Sequence, residues 1–325
     1  VGLVRPSLLA VGAGTASVLP GFLVGALALQ IRGDLEVSVE AVAAGVTVFF
    51  LAGAIGAGPG GRLSERIGAL RAMRGSVLVA GACLLAAALL ANSLVVLFAC
   101  LAVAGLANAV AQPATNLFMA DQVPMERQGL AFGIKQSAIP GAVLVSGLAL
   151  PVLAIPLGWR ATFAICALGP LAVAIVLGRH ATSLRPVAER ERAPRPSRTL
   201  ILIALGAALG SSAPCALSAY LVASAVDVGI AEGTAGLLAA AGSAASLGVR
   251  LAVGVRADRR VDTASGWLLR CWSSAPAALP CWPRAPRRHS WWVRSWHMPS
   301  AGAGPAYSTW PSSICTERRR ERPPG

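Results

Sequence analysis

The chain has 325 residues, of which 55% are hydrophobic and only 13% carry a formal charge. Soluble domains carry about 25% charged residues, so this composition places the chain among integral membrane proteins. The net charge is +14, but the bases are spread between apolar runs instead of forming one basic face. We therefore expect the lipid bilayer, and not nucleic acid, as the partner of this chain.

Eight apolar runs follow one another along the chain, and each has about the 20 residues that a membrane-spanning helix needs. The alternating ten-residue strands of a membrane barrel are not visible. The sequence therefore predicts an all-α polytopic membrane protein. The predicted spans cover 8–30, 41–60, 75–93, 95–117, 130–152, 160–178, 200–223 and 233–255.

Charges in the loops between these spans predict the orientation of the chain. Loop 61–74 carries four Arg against one Glu, and loop 179–198 carries six Arg against two Glu. Loop 224–232 carries acidic residues and no base. Because basic loops stay inside, we expect the N-terminus in the cytoplasm of a bacterial-type inner membrane. Trp159, at the outer end of span six, is expected to be an interfacial anchor.

Changes in composition divide the chain into four parts. Residues 1–178 are predicted to form a six-helix bundle, and the charged, Pro-bearing segment 179–199 a cytoplasmic linker. Residues 200–264 hold spans seven and eight, a partial second bundle, and 265–325 form a Trp-, Pro- and Arg-rich tail.

The segment that follows span two reads GRLSERIGALR from Gly61 to Arg71. It resembles the signature loop between helices two and three of the major facilitator superfamily, and a weaker copy of that loop follows span eight. The matching residues are Gly61, Leu63, Glu65, Arg66, Gly68 and Arg71 in the first copy, and Gly254, Asp258 and Arg259 in the second.

The resemblance implies a two-bundle permease of a small solute that works by alternating access and carries no cofactor. We expect the glycines of these loops to allow a tight turn and close helix approach. We expect Glu65 to act as a latch that breaks and reforms as the bundles rock. The alternative is a basic loop that only sets topology.

Other segments also resemble this family. Gly158-Trp159-Arg160 resembles the entry to helix six, and residues 129–141 resemble helix five of the cyanate-permease-like branch. Leu101 stands where the family often has an arginine in helix four. The resemblance covers residues 1–264.

Lys135 is the only lysine in the chain, and it lies eight residues beyond Arg127 in span five. Its Cα is then about 12 Å deeper than that of Arg127. A charged side chain inside a span is a functional-site hypothesis, so Lys135 is our candidate to attract an anionic substrate or to counter a carboxylate. The alternative is a lysine that snorkels back to the cytoplasmic interface. Gln136 is a polar neighbour, and Pro140 would free a backbone carbonyl nearby.

Span four carries a polar stripe at every fourth residue: Asn108, Gln112 and Asn116. Such a stripe faces either a water-filled cavity or another helix to which it bonds. Tyr220 of span seven is the candidate from the other half, and we interpret Arg250 of span eight as mainly structural. No catalytic set and no metal-ligand spacing appears, so we expect neither an enzyme nor a metal site.

The tail holds seven of the eight Trp and nine of the 22 Pro in its last 60 residues. This composition is typical of a GC-rich gene read out of frame, so we expect a frameshift. We therefore expect a transporter that is truncated after span eight and does not transport in this form. The alternatives are a basic tail that binds the membrane surface and, for the whole chain, an inactive pseudogene product or non-transporting membrane protein.

Overall fold

A computed structural model describes residues 4–123, 128–180 and 197–259, and this part of the chain is almost entirely helical. The predicted linker, apart from its ends, and the whole predicted tail lie outside the described residues. The helices are α1 Val4–Ala26, α2 Ala28–Leu35, α3 Val39–Ile67, α4 Ala69–Leu90, α5 Leu94–Gln122, α6 Gln128–Gln136, α7 Ala138–Ala149, α8 Ile155–His180, α9 Arg198–Asp227 and α10 Glu232–Arg259, with a π-helical turn at Leu150–Ala154.

Seven stretches of the described residues are long and apolar enough to cross a membrane, and one of them runs for 51 residues from Gly129 to Arg179. A straight helix of that length would measure about 75 Å, more than twice the hydrocarbon core. The stretch instead contains a break at Gly158, whose φ of 82° is non-helical. Ala138 and Val173, on either side of this break, both pack against residues 12–14 of α1. The chain therefore reverses there, and the long stretch holds predicted spans five and six.

The helices around the first signature segment are longer than the apolar runs predict. α3 continues to Ile67 and α4 begins at Ala69, so Gly68 alone separates them, with a φ of 88°. The charged residues expected in a loop therefore lie on the last turn of α3 and the first turns of α4. At the opposite end, the Ser38 side chain caps α3 by accepting a hydrogen bond from the Ala41 amide at 3.2 Å.

Small residues bring α3 and α5 into backbone contact. A Cβ at Gly60 would lie 2.6 Å from the carbonyl oxygen of Ala109, an acceptor that Pro113 deprives of its helical donor. Ser64, one turn further, is fully buried, and its hydroxyl lies within hydrogen-bond distance of the Gly60 carbonyl at 2.8 Å and the Val110 carbonyl at 3.0 Å. Close approach of this kind is how helices associate in lipid, where apolar burial does not drive them together.

Near the C-terminal end of α2, three elements meet around the guanidinium of Arg160 in α8. Asp34, near the end of α2, accepts from Trp159 Nε1 at 3.1 Å and from Arg160 Nη2 at 3.0 Å. The same guanidinium donates to the carbonyls of Ala88 and Ala91 at the end of α4 and lies 4.5 Å from the Trp159 ring centre. Arg160 thus satisfies carbonyls that the helix end leaves without donors.

The predicted role of Trp159 as an interfacial anchor differs from this arrangement. Trp159 is 4% exposed and packs edge-on against Phe163. It therefore holds α8 against α2 inside the protein, because Asp34 offers its indole N–H a stronger acceptor than the interface would.

The second half, α9 and α10, contacts the first half (α1 to α8) through small residues. A Cβ at Gly147 of α7 would lie 2.7 Å from the Gly236 carbonyl oxygen of α10, and a Cβ at Gly236 would lie 2.6 Å from the Gly147 carbonyl oxygen. Near the C-terminal end of α10, Gly254 lies against α6, where its Cβ would be 3.1 Å from the Cα of Leu130. The C-terminal half of α9 packs on α1 where Gly25 meets Ala219. Helix α10 therefore follows α6 and α7 along nearly its whole length.

We expect Gly60→Ala to lower the stability of the protein by about 1–3 kcal/mol, because the added methyl group meets a backbone carbonyl that cannot move aside. Gly61→Ala is the matched control on the same helix, since a Cβ there meets nothing within 4 Å. It should stabilise by up to about 1 kcal/mol through helix propensity. Thermal midpoints of the two purified variants in detergent check the opposite signs, and a Gly60→Ala midpoint at or above that of Gly61→Ala contradicts the packing.

We expect Arg160→Lys to destabilise the protein by about 1–2 kcal/mol. A lysine cannot reach Asp34 and the two α4 carbonyls together, although the ion pair itself contributes little because both side chains are more than a third exposed. Arg32→Lys, at an exposed position on α2, is the control and should leave the midpoint unchanged. Equal thermal midpoints for both variants would show that the contacts of Arg160 with Asp34 and the α4 carbonyls do not stabilise the protein.

Candidate functional site

Four polar side chains from α1, α5 and α6 form a continuous hydrogen-bonded chain in the interior of the first half. Ser17 donates to Asn108 Oδ1 at 3.0 Å, and Gln112 Nε2 donates to the same oxygen at 3.2 Å. The side-chain oxygen of Gln112, Oε1, accepts from Lys135 Nζ at 3.0 Å. The chain thus runs from a hydroxyl to an ammonium, and each member orients the next.

The ammonium at the end of this chain is buried. Lys135 is 4% exposed, so its side chain is enclosed by the protein. Its hydrogen-bond partner is a neutral amide, and the ion pair found among the described residues, Arg160 with Asp34, lies elsewhere. A buried cation held by a neutral acceptor is electrostatically unbalanced, and an anion would restore the balance.

The helix that carries Lys135 is interrupted directly after it. Ser137 separates α6 from α7, and its amide bonds to the Ile134 carbonyl in a tighter turn. Pro140 has no N–H to give to the carbonyl four residues back, which belongs to Gln136. That carbonyl instead accepts from Arg250 Nη1 of α10 at 3.1 Å. The sequence predicted a freed carbonyl near Lys135, and the structure shows that its donor comes from the second half.

The other predicted binding residues are less closely gathered. Asn116 lies on the same helix as Asn108 and Gln112 but is exposed, and the Gln136 side chain is exposed as well. Tyr220, in the C-terminal half of α9, donates to the Ala43 carbonyl of α3 at 3.2 Å. It packs there near the level of Gly25, about 12 Å along α1 from Ser17. Tyr220 therefore joins two helices and does not meet the Lys135 chain.

The charged signature residues of the first copy have exposed side chains, whereas the glycines lie at a turn or inside helices. Leu63, Glu65, Arg66 and Arg71 have exposed side chains. Gly61 lies within α3 with nothing near its Cα, so the close approach comes from Gly60 and the turn from Gly68. In the second copy Gly254 makes the close approach to α6, while the side chains of Asp258 and Arg259 lie outside the described residues.

Sequence reasoning missed Ser17, Thr15 and Ser64 as polar contacts. Thr15 donates to the Ala138 carbonyl at 3.2 Å, directly after the break in the Lys135 helix. A signal was present, because Ser and Thr inside apolar runs bond across helices or to the preceding turn. Among the residues that the structure describes, no group of three or more His, Cys, Asp and Glu side chains could hold a metal ion.

We expect Gln112→Leu to destabilise the protein by about 1–3 kcal/mol, because it leaves the Lys135 ammonium buried without an acceptor. Lys135→Met should be neutral or stabilising, since it removes the charge and keeps the length of the side chain. The double variant should then recover most of the loss seen in Gln112→Leu. Thermal midpoints of the three variants check this cycle, and additive effects would show that the two side chains do not depend on each other.

Comparisons with known proteins give a family match and a partial structural likeness. Residues 9–322 match the family model of the Major Facilitator Superfamily, so the match extends past residue 264, where the quoted motifs end. The search of curated proteins gave no match. Among solved structures, the chain is similar to the POT family transporter PepTSo, with 15% sequence identity and a TM-score of 0.48. The alignment covers 78% of this chain and 54% of that transporter, so the chain spans about half of its length.

Proposed function

The chain belongs to the major facilitator superfamily, and from this premise we propose that it is a secondary transporter of a small organic anion that works by alternating access. The bilayer is its environment, and we place it in a bacterial-type inner membrane with the N-terminus inside, as the loop charges favour.

The observation that carries the choice of an anion is the buried ammonium of Lys135. The ammonium ends a polar chain that joins α1, α5 and α6, and its acceptor there is neutral. A permanent carboxylate partner would cancel the charge, whereas a neutral amide positions it and leaves it available to a ligand. Asn108 and Gln112 fix the position of the charge, and the ammonium supplies the attraction.

The exposed carboxylate of Glu65 fits the second part of the proposal, the rocking of two bundles. Within the described residues Glu65 makes no ion pair, and it projects from the last turn of α3. A partner in the second half beyond residue 259 would make it the latch that the signature segment predicts. The cyanate-permease-like branch remains our candidate within the family, on the resemblance of residues 129–141.

A second candidate function is a membrane protein that binds the anion but does not transport it. The composition of the tail favours it, because 265–325 lacks the apolar runs that the later helices of a second bundle would need. Sequencing the gene around the codon for Gly266 tests whether the frame changes there.

We expect Lys135→Met to weaken anion binding at least tenfold, the loss of about one charge-assisted hydrogen bond. Equilibrium binding of radiolabelled succinate, benzoate and inorganic phosphate to the purified full chain measures this, with Gly58→Ala as the control variant. The same proteins in liposomes then report flux. Saturable flux lost in Lys135→Met supports the transporter, binding without flux supports the second candidate, and no binding of any anion contradicts the proposed function.

A further inference from the structure

Arg250 is a cation inside a span whose acceptors are both uncharged. Its Nη1 donates to the Gln136 carbonyl at 3.1 Å, and its Nε lies 3.5 Å from Ser246 Oγ. A guanidinium has five N–H donors, so these two contacts leave capacity unused. Carboxylates are stronger acceptors than carbonyls, and Arg250 has none among the described residues.

The carbonyl that Arg250 binds is free because of Pro140. In an uninterrupted helix the amide of residue 140 would donate to the carbonyl of residue 136, and proline has no amide proton. Without Arg250 this carbonyl would lie inside a span with no donor, which is costly in a membrane. Pro140 on α7 therefore removes the helical donor of the Gln136 carbonyl, and Arg250 on α10 supplies a new one.

The contact lies at the seam between α6 and α10, at the carbonyl of the residue that follows Lys135. Gly133, on the same face of α6 as Gln136, brings the backbones so close that a Cβ there would be 3.1 Å from the Arg250 carbonyl oxygen. Lys135 is the residue that we propose attracts the anion. An anion drawn to the α6 segment thus has a second cation on the helix packed against it, and the partner of that cation is a neutral carbonyl.

We propose that Arg250 is a displaceable latch between the two halves. It closes the seam by binding the carbonyl that Pro140 frees, and an anionic group on the ligand takes its place as the acceptor and loosens the seam. The displacement step rests on the proposed function, whereas the latch itself does not. This assigns Arg250 a part in the transport cycle and not only the structural one that sequence reasoning gave it.

The latch is tested by the distance between spin labels on the two halves. Gly58 of α3 and Gly248 of α10 are exposed positions with nothing within 4 Å, and the seven native cysteines are replaced by serine in the full chain. Arg250→Met removes the donor, and Pro140→Ala returns the carbonyl to its own helix. Each should raise the ratio of long to short distances about fivefold, the effect of one hydrogen bond.

The double variant Pro140→Ala/Arg250→Met should give the same distribution as either single variant, because both break one contact. Pro170→Ala is the matched control, since Pro170 packs on Gly81 within the first half and should leave the distances unchanged. The latch is overturned if Pro140→Ala has no effect, or if the two changes add. Pro140→Ala is expected to fold, because it restores a helical hydrogen bond, and its monodispersity is measured alongside.

The displacement is tested in the same labelled protein with succinate, benzoate and inorganic phosphate, against neutral succinamide. An anion that binds should increase the long distances in the parent protein and not in Arg250→Met, and succinamide should change neither. A bound anion that leaves the distances unchanged overturns the displacement. If no anion binds, the proposed function and the displacement fail together, while the comparison of single and double variants still decides the latch.

Discussion

Inside a bilayer, each polar group of the chain must find its partner within the protein, and the architecture of this protein follows from how it meets that requirement. Prolines inside the helices leave carbonyls without their helical N–H donors. At Pro113 the freed Ala109 carbonyl lies against the Gly60 backbone, next to the buried hydroxyl of Ser64, and at Pro140 the freed Gln136 carbonyl accepts a hydrogen bond from Arg250. At the end of α4 the carbonyls of Ala88 and Ala91 accept from Arg160. In each case the neighbouring group comes from a different helix, so these contacts also fix which helices are neighbours.

The freed carbonyls meet two kinds of group, a helix backbone or a long side chain, and these differ in how easily they can be exchanged. Where α3 meets α5, a glycine backbone lies directly on a carbonyl and a buried serine closes the contact, so nothing can be exchanged without separating the helices. Where α6 meets α10, glycine backbones also lie close together, but the group that bonds the freed carbonyl is a long, partly exposed side chain that can rotate away and bind something else. The contact at Pro140 therefore includes a partner that can be exchanged, and the contact at Pro113 does not.

The fold was largely predictable because apolar length is a direct consequence of bilayer thickness. The all-α architecture is confirmed, and so is the family, since the signature segments quoted from the sequence belong to a chain that matches the family over residues 9–322. Helix ends were less predictable: α3 extends to Ile67 through charged residues, because a helix can continue into water where no hydropathy signal marks it.

The candidate site was predictable in its residue types and not in its connections. Lys135, Gln112 and Asn108 were found because polar groups inside apolar runs are conspicuous, and the structure joins them. Tyr220 was grouped with them only because it is polar, yet it bonds to α3 at a different depth. The pairing of Arg250 with the Gln136 carbonyl depends on how two distant helices cross, and periodicity along one helix carries no information about that.

The presence of a single lysine makes the interior of this protein chemically addressable. Apart from the chain terminus, Lys135 is the only aliphatic amine in the sequence, and at 4% exposure it is shielded from solvent. Formaldehyde with a mild hydride donor methylates amines and leaves guanidinium groups unchanged, so the folded chain would take up methyl groups at its terminus and at one side chain, which peptide mapping separates. The rate of methylation at Lys135 would then measure how often the path to the ammonium opens, without any introduced cysteine.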